Sequence, residues 1–166
     1  MSYFRTAQPK LKVVKADCAD YLKAVAYESF KIFGMKQASF YDTDVGRPVR
    51  TIELPYIWKT PLQLWVETAN FLYSIYPLIS IEALLAHVPP DTDIVIIGDM
   101  RRVVEADYIN QRGGACYRVD RPGRLPISNI DEELLTWNGW SGVVSNGGDL
   151  SNLEQQVRGI CEGLCT

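Results

Sequence analysis

The sequence lacks most of the residue groupings from which common enzyme and metal sites are built. It has one histidine, His87, and no serine, cysteine and histidine grouping of the kind that forms a nucleophilic triad. Its four cysteines form no Cys-x-x-Cys pair, so we predict free thiols rather than a zinc site. No segment reads Gly-x-x-x-x-Gly-Lys-Ser/Thr, the loop whose backbone amides hold nucleotide phosphates. The usual sequence evidence for hydrolysis, zinc binding and ATP binding is therefore missing.

The chain also lacks an excess of charge and a long apolar run. Its 17 basic and 20 acidic residues give a net charge of −3, which favours neither a nucleic-acid partner nor a membrane surface. No apolar segment approaches the roughly 20 residues needed to cross a bilayer, and residues 1–9 lack the apolar core of a signal peptide. The 166 residues are enough for one domain with its own core. We therefore expect a single domain over 1–166, located in the cytoplasm.

Hydrophobic periodicity predicts alternating strands and helices. Ile94–Ile97 is apolar at every position, as expected of a strand covered by helices on both faces. The predicted strands are 11–16, 93–97, 115–119 and 142–145. The predicted helices are 18–33, 61–76, 80–87, 103–112 and 150–164. This order favours a parallel sheet with flanking helices, a three-layer α/β domain.

Several helix ends carry recognisable signals. Thr60, Pro61 and Gln63 have the spacing of a capping box with proline at the first helical position. Ser151 and Glu154 have the same spacing at the start of the last helix. His87 is interpreted as a helix-terminal residue, and Trp58 and Trp65 as core residues.

Polar residues follow three of the predicted strands. Asp99 and Arg101 follow the strand at 93–97, Asp120 and Arg121 follow the next, and Asn146 begins a turn after the last. Ligands of parallel sheets gather at the carboxyl ends of the strands. Paired arginines suit the oxygens of a phosphate, and a nearby carboxylate suits a magnesium-bound water or a sugar hydroxyl. These residues predict a phosphate-binding crevice.

Each of these residues also has a purely structural interpretation. Asp99 is as well placed to cap the helix at 103 as to meet a ligand. Arg118 is interpreted as one half of a surface ion pair. Lys23 could reach a phosphate from the first turn of its helix, although a solvated lysine is the alternative at such a position.

The order of these motifs resembles the deoxynucleoside monophosphate kinases of bacteriophages and large DNA viruses, and distantly the animal type of phosphomevalonate kinase. The resemblance covers residues 11–164. In order along the chain, the matching segments are Asp17-Cys-Ala-Asp-Tyr-Leu-Lys23, Thr60-Pro61-Leu62, Gly98-Asp-Met-Arg-Arg-Val-Val-Glu105, Gly113-Gly114, Arg118-Val-Asp-Arg-Pro122 and Ser145-Asn-Gly-Gly-Asp-Leu150.

This resemblance implies a nucleoside monophosphate kinase-like fold and a set of ligand contacts. Arg101 would meet the monophosphate, and Asp99 would lie near magnesium. Arg121 and Arg124 would belong to a lid over the phosphates. Lys23 and Asn146 complete the predicted phosphate-binding set. Magnesium and ATP would be cofactors only if the chain acts as a kinase. A viral source would place the chain in the host cytoplasm or in the virion.

The chain departs from the family pattern in its first segment. The family begins with a strand, the phosphate loop and a helix, all of which should precede Leu11, where ten residues stand. The arginine of the family's Thr-Pro-Arg is Leu62 here. In the family the first strand lies between the strands that correspond to 93–97 and 115–119, so its absence would leave backbone groups unpaired. The flanking strands could pair directly, residues 2–7 could replace the strand, or another chain could supply one.

Three functions remain open at this stage. The first is a degenerate kinase-like protein without catalysis, which serves as a binding or assembly component. The second is an active deoxynucleoside monophosphate kinase whose phosphate loop comes from another chain. The third is a sponge or sensor that binds a deoxynucleoside monophosphate without turnover. The first is preferred, with a protein partner or a homo-oligomer expected to complete the sheet.

Overall fold

The structure is a computed structural model that describes residues 11–123 and 129–164. It is a mixed α/β protein, as predicted. The strands of the described part are β1 Val13–Asp17, β2 Ile94–Gly98, β3 Tyr117–Asp120 and β4 Gly142–Ser145. Its helices are α1 Ala19–Phe30, α2 Ala38–Tyr41, α3 Gly46–Val49, α4 Pro61–Ile75, α5 Ile79–Ala86, α6 Val103–Gln111, α7 Asn129–Thr136 and α8 Leu150–Leu164. A short 3₁₀ turn, Lys31–Phe33, follows α1.

The described strands form two parallel sheets of two strands each. One pairs β1 with β2, and the other pairs β3 with β4. In the second sheet Tyr117 lies opposite Gly142, and the register continues without a bulge to Asp120 opposite Ser145. The predicted strand positions agree with these bounds to within two residues. The single parallel sheet of the sequence-based prediction is not seen as such in the described residues.

The described chain divides into two compact units. The N-terminal unit consists of 14–90 and 95–99, and the C-terminal unit of 11–13, 91–94, 100–123 and 129–164. Each unit has a buried cluster of apolar side chains. The prediction of one domain over 1–166 stays a prediction.

The core of the N-terminal unit forms where α1 packs against α4 and α5. Ala26, Met35 and Leu64 are buried at its centre. The start of α4 is held by the predicted capping box, in which the Gln63 amide N–H donates to Thr60 Oγ1 over 3.1 Å. In return, the Thr60 amide N–H donates to Gln63 Oε1 over 2.8 Å. This end of α4 confirms the sequence-based prediction, because a capping box depends on residues only three positions apart.

The core of the C-terminal unit lies between α6, β3 and α7. Ala106, Cys116 and Leu134 are buried there. Burial also raises the pKa of the Cys116 thiol, which favours its neutral form. The rings of Trp137 and Trp140 pack edge to face at 4.8 Å beside this cluster. Cys18 and Cys161 are buried and outside any disulfide, as Cys116 is, which agrees with the prediction that the cysteines act as small apolar residues.

Two further features bear on the sequence-based predictions. His87 occupies the C-terminal cap of α5, and its Nδ1 lies 2.7 Å from the Ala83 carbonyl oxygen, which confirms its helix-terminal role. None of the described helices is by itself both long and apolar enough to cross a membrane. Only α4 and α5 taken together reach that length and composition, with a bend of 94° between them.

Candidate functional site at the strand ends

The carboxyl ends of β3 and β4 come together in the C-terminal unit. The Asn146 amide N–H donates to the Asp120 carbonyl oxygen over 2.6 Å. A Cβ on Gly147 would lie 2.8 Å from Pro122 Cγ, so a larger residue there would require one of the two segments to shift. Arg121 lies between Asp120 and Pro122 in the chain and is therefore beside the Asn146–Gly147 turn. The predicted convergence of these two strand ends is confirmed.

Charges at this edge are partly paired. Arg118 Nε and Nη2 donate to the two Asp120 carboxylate oxygens, each over 2.8 Å. This hydrogen bonding raises the pKa of Arg118. The predicted surface ion pair of Arg118 is confirmed. In contrast, the exposed Arg121 side chain makes no hydrogen bond or ion pair within the part of the chain that the structure describes. Among the described residues at this edge, Arg121 is thus a cation that remains available to an anion.

The start of α8 is capped by an acid rather than left open. Asp149 Oδ1 accepts a 2.8 Å hydrogen bond from the Asn152 amide N–H, which makes Asp149 the cap of a helix that begins at Leu150. The predicted cap at Ser151 is therefore wrong by two residues. A carboxylate in this position competes with an anionic ligand for the same helix end, because both are attracted by the amide groups and the helix dipole.

The side chain of Gln156 pairs with the backbone of β4 in the manner of another strand. The Ser145 amide N–H donates to Gln156 Oε1, and Gln156 Nε2 donates to the Ser145 carbonyl oxygen, both over 2.9 Å. Since the neighbouring Asn146 amide points to β3, these Ser145 groups lie on the opposite edge of β4. Gln156 therefore caps the outer edge of the sheet at Ser145.

We expect Gln156→Ala to lower the free energy of unfolding by about 1–2 kcal/mol, because two backbone groups of Ser145 lose their partners. Gln155→Ala is the matched control, since Gln155 is exposed one position earlier in the same helix. Urea unfolding and hydrogen exchange at the Ser145 amide measure the two effects. Equal stability and equal exchange in the two variants would contradict the capping role.

The end of β2 in the N-terminal unit is sterically tight. The Cys18 amide N–H donates to the Gly98 carbonyl oxygen over 3.0 Å, and a Cβ on Gly98 would lie 2.1 Å from Asp17 Oδ1. The next residue, Asp99, has a φ of 56°, in the left-handed region that asparagine and aspartate tolerate better than most residues. The residue predicted to meet magnesium thus lies at a sharp turn after a strand. Strained positions of this kind are common at functional sites.

Lys23 has an aromatic neighbour that the sequence did not indicate. Its Nζ lies 5.7 Å from the ring centroid of Trp65, within the range of a cation–π contact. The Trp65 ring also packs edge to face on Tyr41 at 5.3 Å. Trp65 is partly buried against the core of this unit, which confirms its interpretation as a core residue. Lys23 therefore has a structural role through its contact with Trp65. Its predicted role toward a phosphate stays a prediction.

Arg101 begins a segment that is organised by Glu105. The amide N–H groups of Arg101 and Arg102 donate to Glu105 Oε2 over 3.3 and 3.2 Å. The N-cap position of α6 is Arg102 rather than Asp99. Glu105 is fully buried, and the sequence-based argument gave it no role beyond its place in a motif.

The predicted phosphate-binding residues fall into two groups. Arg121 and Asn146 come together in the C-terminal unit, to which Arg101 also belongs. Lys23 and Asp99 belong to the N-terminal unit. The sixth predicted residue, Arg124, lies outside the described residues.

The interpretation of Trp58 as a core residue is wrong. Trp58 is 76% exposed, and Tyr56 is 84% exposed. Both have positive φ angles, 51° and 71°, a conformation that bulky residues rarely adopt. Pro55, between Leu54 and Tyr56, indicates a turn but not the direction of the aromatic rings.

Comparison with known proteins adds no family to these observations. A scan against protein-family models finds no match. A search of curated proteins also finds none. The function proposed for the chain therefore rests on the geometry of the described residues.

Proposed function

We propose that this chain is a non-catalytic, nucleoside monophosphate kinase-like component of a protein assembly, and that a strand from another chain completes its sheet beside β3. The observation that carries the proposal is the asymmetry between the two edges of the β3–β4 sheet. Gln156 caps the outer edge of β4 at Ser145. Within the described residues, β3 pairs with no strand other than β4.

The side chains of β3 support an incomplete sheet. Val119 is 61% exposed, whereas Val144, its register partner on β4, is 4% exposed. Parallel sheets normally have both faces covered and extend beyond two strands. The unpaired backbone groups of an edge strand are a template for pairing with another chain. Tyr117–Asp120 contains no lysine, proline or bulge, and its two charged residues, Arg118 and Asp120, are paired with each other.

The absence of catalysis in the proposal follows from what phosphoryl transfer requires. The reaction depends on positioning and on electrostatic stabilisation by a phosphate loop with its lysine, by magnesium and by arginines. The sequence contains arginines but no Gly-x-x-x-x-Gly-Lys-Ser/Thr loop. Magnesium and ATP enter only under the alternative, in which the completing chain supplies that loop and the assembly is an active deoxynucleoside monophosphate kinase.

A second candidate, binding of a deoxynucleoside monophosphate, is favoured by the end of the same sheet. Arg121 lies beside the Asn146–Gly147 turn and is available to an anion. The two carboxylates of this region already have partners, because Asp120 pairs with Arg118 and Asp149 accepts from the α8 amide of Asn152. The negative charge of a phosphate monoester would therefore meet the cation of Arg121, and the carboxylates of Asp120 and Asp149 would repel it less because each already has a partner. A ligand that binds only the native state raises apparent stability, so a thermal-shift panel of deoxynucleoside monophosphates on wild type and Arg121→Ala tests this candidate.

The proposal is tested with substitutions in neighbouring strands. Three affinity-tagged versions of the chain are expressed in its native cells: wild type, Val119→Lys and Val143→Lys. Each is purified together with the proteins that bind it. Val143 is a matched control, because it is 53% exposed on β4. We expect the same partner with wild type and Val143→Lys and its loss with Val119→Lys, because lysine blocks addition of a strand to an edge.

Two further measurements sharpen this test. A photo-crosslinking amino acid at position 119 should join the chain to the partner, and the purified chain should transfer no phosphate from ATP to any deoxynucleoside monophosphate. A crosslink to residues 2–7 of the same chain would contradict completion by another chain. Phosphate transfer by the purified chain would contradict the non-catalytic role.

A further inference from the structure

A second surface, which belongs to the N-terminal unit, has the properties of a protein interface. It is the aromatic loop, residues 51–60, which connects α3 to α4 in the N-terminal unit. Tyr56 and Trp58 are exposed by 84% and 76%. Large aromatic side chains with this exposure are uncommon on a monomer and are frequent at the centre of protein interfaces.

The aromatic loop is held by its own hydrogen bonds and by the core. The Leu54 amide N–H donates to the Lys59 carbonyl oxygen over 2.9 Å, which closes the loop at its base. Leu54 and Ile57 point inward and pack against the buried cluster of the N-terminal unit. The rings of Tyr56 and Trp58 are therefore presented outward from a fixed backbone, so little conformational freedom remains to be lost when they bind.

The backbone angles of Tyr56 and Trp58 indicate that the surrounding structure holds the loop in this conformation. Tyr56 and Trp58 both lie in the left-handed region, which is unfavourable for residues with a bulky side chain. Such angles persist only where the surrounding structure determines them, and they cluster at functional positions. The inward contacts of Leu54 and Ile57 supply that constraint.

Further exposed apolar side chains lie in the first turns of α4, which follows the loop in the chain. Leu62 and Val66 are one turn apart on that helix, exposed by 41% and 51%, and Ile52 is exposed by 59%. An aromatic side chain offers about 150–250 Å². Together with the three aliphatic side chains, the two rings supply about half of the ~800 Å² that each partner contributes to a standard interface. The surface is therefore large enough to form the centre of a stable contact.

The charges beside the loop favour a second copy of the same chain as the partner. Arg50 and Glu53 flank Ile52, and neither side chain has a hydrogen bond or an ion pair among the residues that the structure describes. In a two-fold symmetric contact, Arg50 of one copy can face Glu53 of the other, and the same pair forms a second time. A nucleic-acid surface would instead need an excess of positive charge.

We propose that the chain forms a two-fold symmetric homodimer through the aromatic loop. Tyr56 and Trp58 of one copy pack against the same residues of the second copy, in the offset or edge-to-face geometry that aromatic pairs adopt. The reciprocal pairing of Arg50 with Glu53 sets the orientation of the two copies. The residues of this contact all belong to the N-terminal unit, whereas β3 belongs to the C-terminal unit.

The molar mass of the full chain, measured by light scattering and by sedimentation over a wide concentration range, tests the dimer. We expect a concentration-dependent dimer for wild type and at least a tenfold weaker dimer for Tyr56→Ser/Trp58→Ser. Ile32→Ser is the control for loss of an exposed apolar side chain, because Ile32 is 79% exposed on the 3₁₀ turn after α1. It should dimerise as wild type does, and circular dichroism verifies that all variants are folded.

A charge exchange tests the symmetry of the contact. Arg50→Glu and Glu53→Arg should each weaken the dimer, and the double variant should restore it, because the exchanged charges again face each other. A wild type that is monomeric at every concentration, or a double variant that does not recover, overturns the proposal. A dimer that is lost in Val119→Lys but kept in Tyr56→Ser/Trp58→Ser would place self-association at the β3 edge and also overturn it. Binding of a single-stranded oligonucleotide by a monomeric wild type would assign the loop to nucleic acid instead.

Discussion

Glu105→Ala is expected to lower the free energy of unfolding by about 3 kcal/mol. The carboxylate is fully buried and accepts the amide N–H groups of Arg101 and Arg102, so alanine leaves two donors without an acceptor and a cavity beside them. Urea unfolding followed by circular dichroism measures the loss. The loss is located at the two Glu105 hydrogen bonds if the Arg101 and Arg102 amides exchange faster in the variant than in wild type.

Two comparisons separate this role from a general effect of removing a charge. Glu154→Ala removes an exposed helical glutamate of the same unit and should change stability by less than about 0.5 kcal/mol. Glu105→Gln keeps an oxygen acceptor of the same shape and should recover more than half of the loss. If alanine at position 105 were tolerated as well as at position 154, the organising role of Glu105 would be excluded.

Leu64→Ala is expected to lower the free energy of unfolding by about 3 kcal/mol as well, through a different mechanism. Leu64 is 2% exposed and lies in the cluster with Ala26 and Met35, so the substitution removes apolar contacts and leaves a cavity. Hydrogen exchange of the α1 and α4 amides, together with urea unfolding, reports the loss in the N-terminal unit.

Leu62 provides a control of the same residue type on the same helix. It is 41% exposed two positions earlier in α4, and Leu62→Ala should lower stability by less than about 1 kcal/mol. The difference between the two variants reports mainly the burial of Leu64, because both replace leucine by alanine in the same helix, and the comparison is made at a concentration where the chain is monomeric. Equal losses would show that the cluster around Leu64 does not form the core of this unit.

The elements of this fold were predictable where the signal is local. The all-apolar run Ile94–Ile97 predicted β2, and the Thr60, Pro61 and Gln63 spacing predicted the start of α4. Each depends on neighbours within a few residues, so no tertiary information is needed. The cap of α8 was placed two residues late, because Asp149 and Ser151 are both good capping residues and local sequence does not choose between them.

The surroundings of individual side chains were harder to predict, because they depend on residues distant in sequence. Lys23 meets Trp65, which is more than forty positions away, and no periodicity indicates such a contact. Trp58 was assigned to the core from its hydrophobicity, yet inward packing of Leu54 and Ile57 turns it outward. The convergence of Asp120 with Asn146 was predictable, since it follows from the general rule that parallel strands end at one edge.

The side-chain amide of Gln156 decides at which edge of the C-terminal sheet another strand can be added. With Ser145 already satisfied by a side chain, further strands can be added beside β3 and not beside that end of β4. If two molecules ever joined β3 to β3, the resulting four-stranded ribbon would carry a Gln156 stopper on each flank. Such a ribbon would have no free backbone groups at Ser145 with which to add further strands, so its growth into a fibril would be opposed at that point.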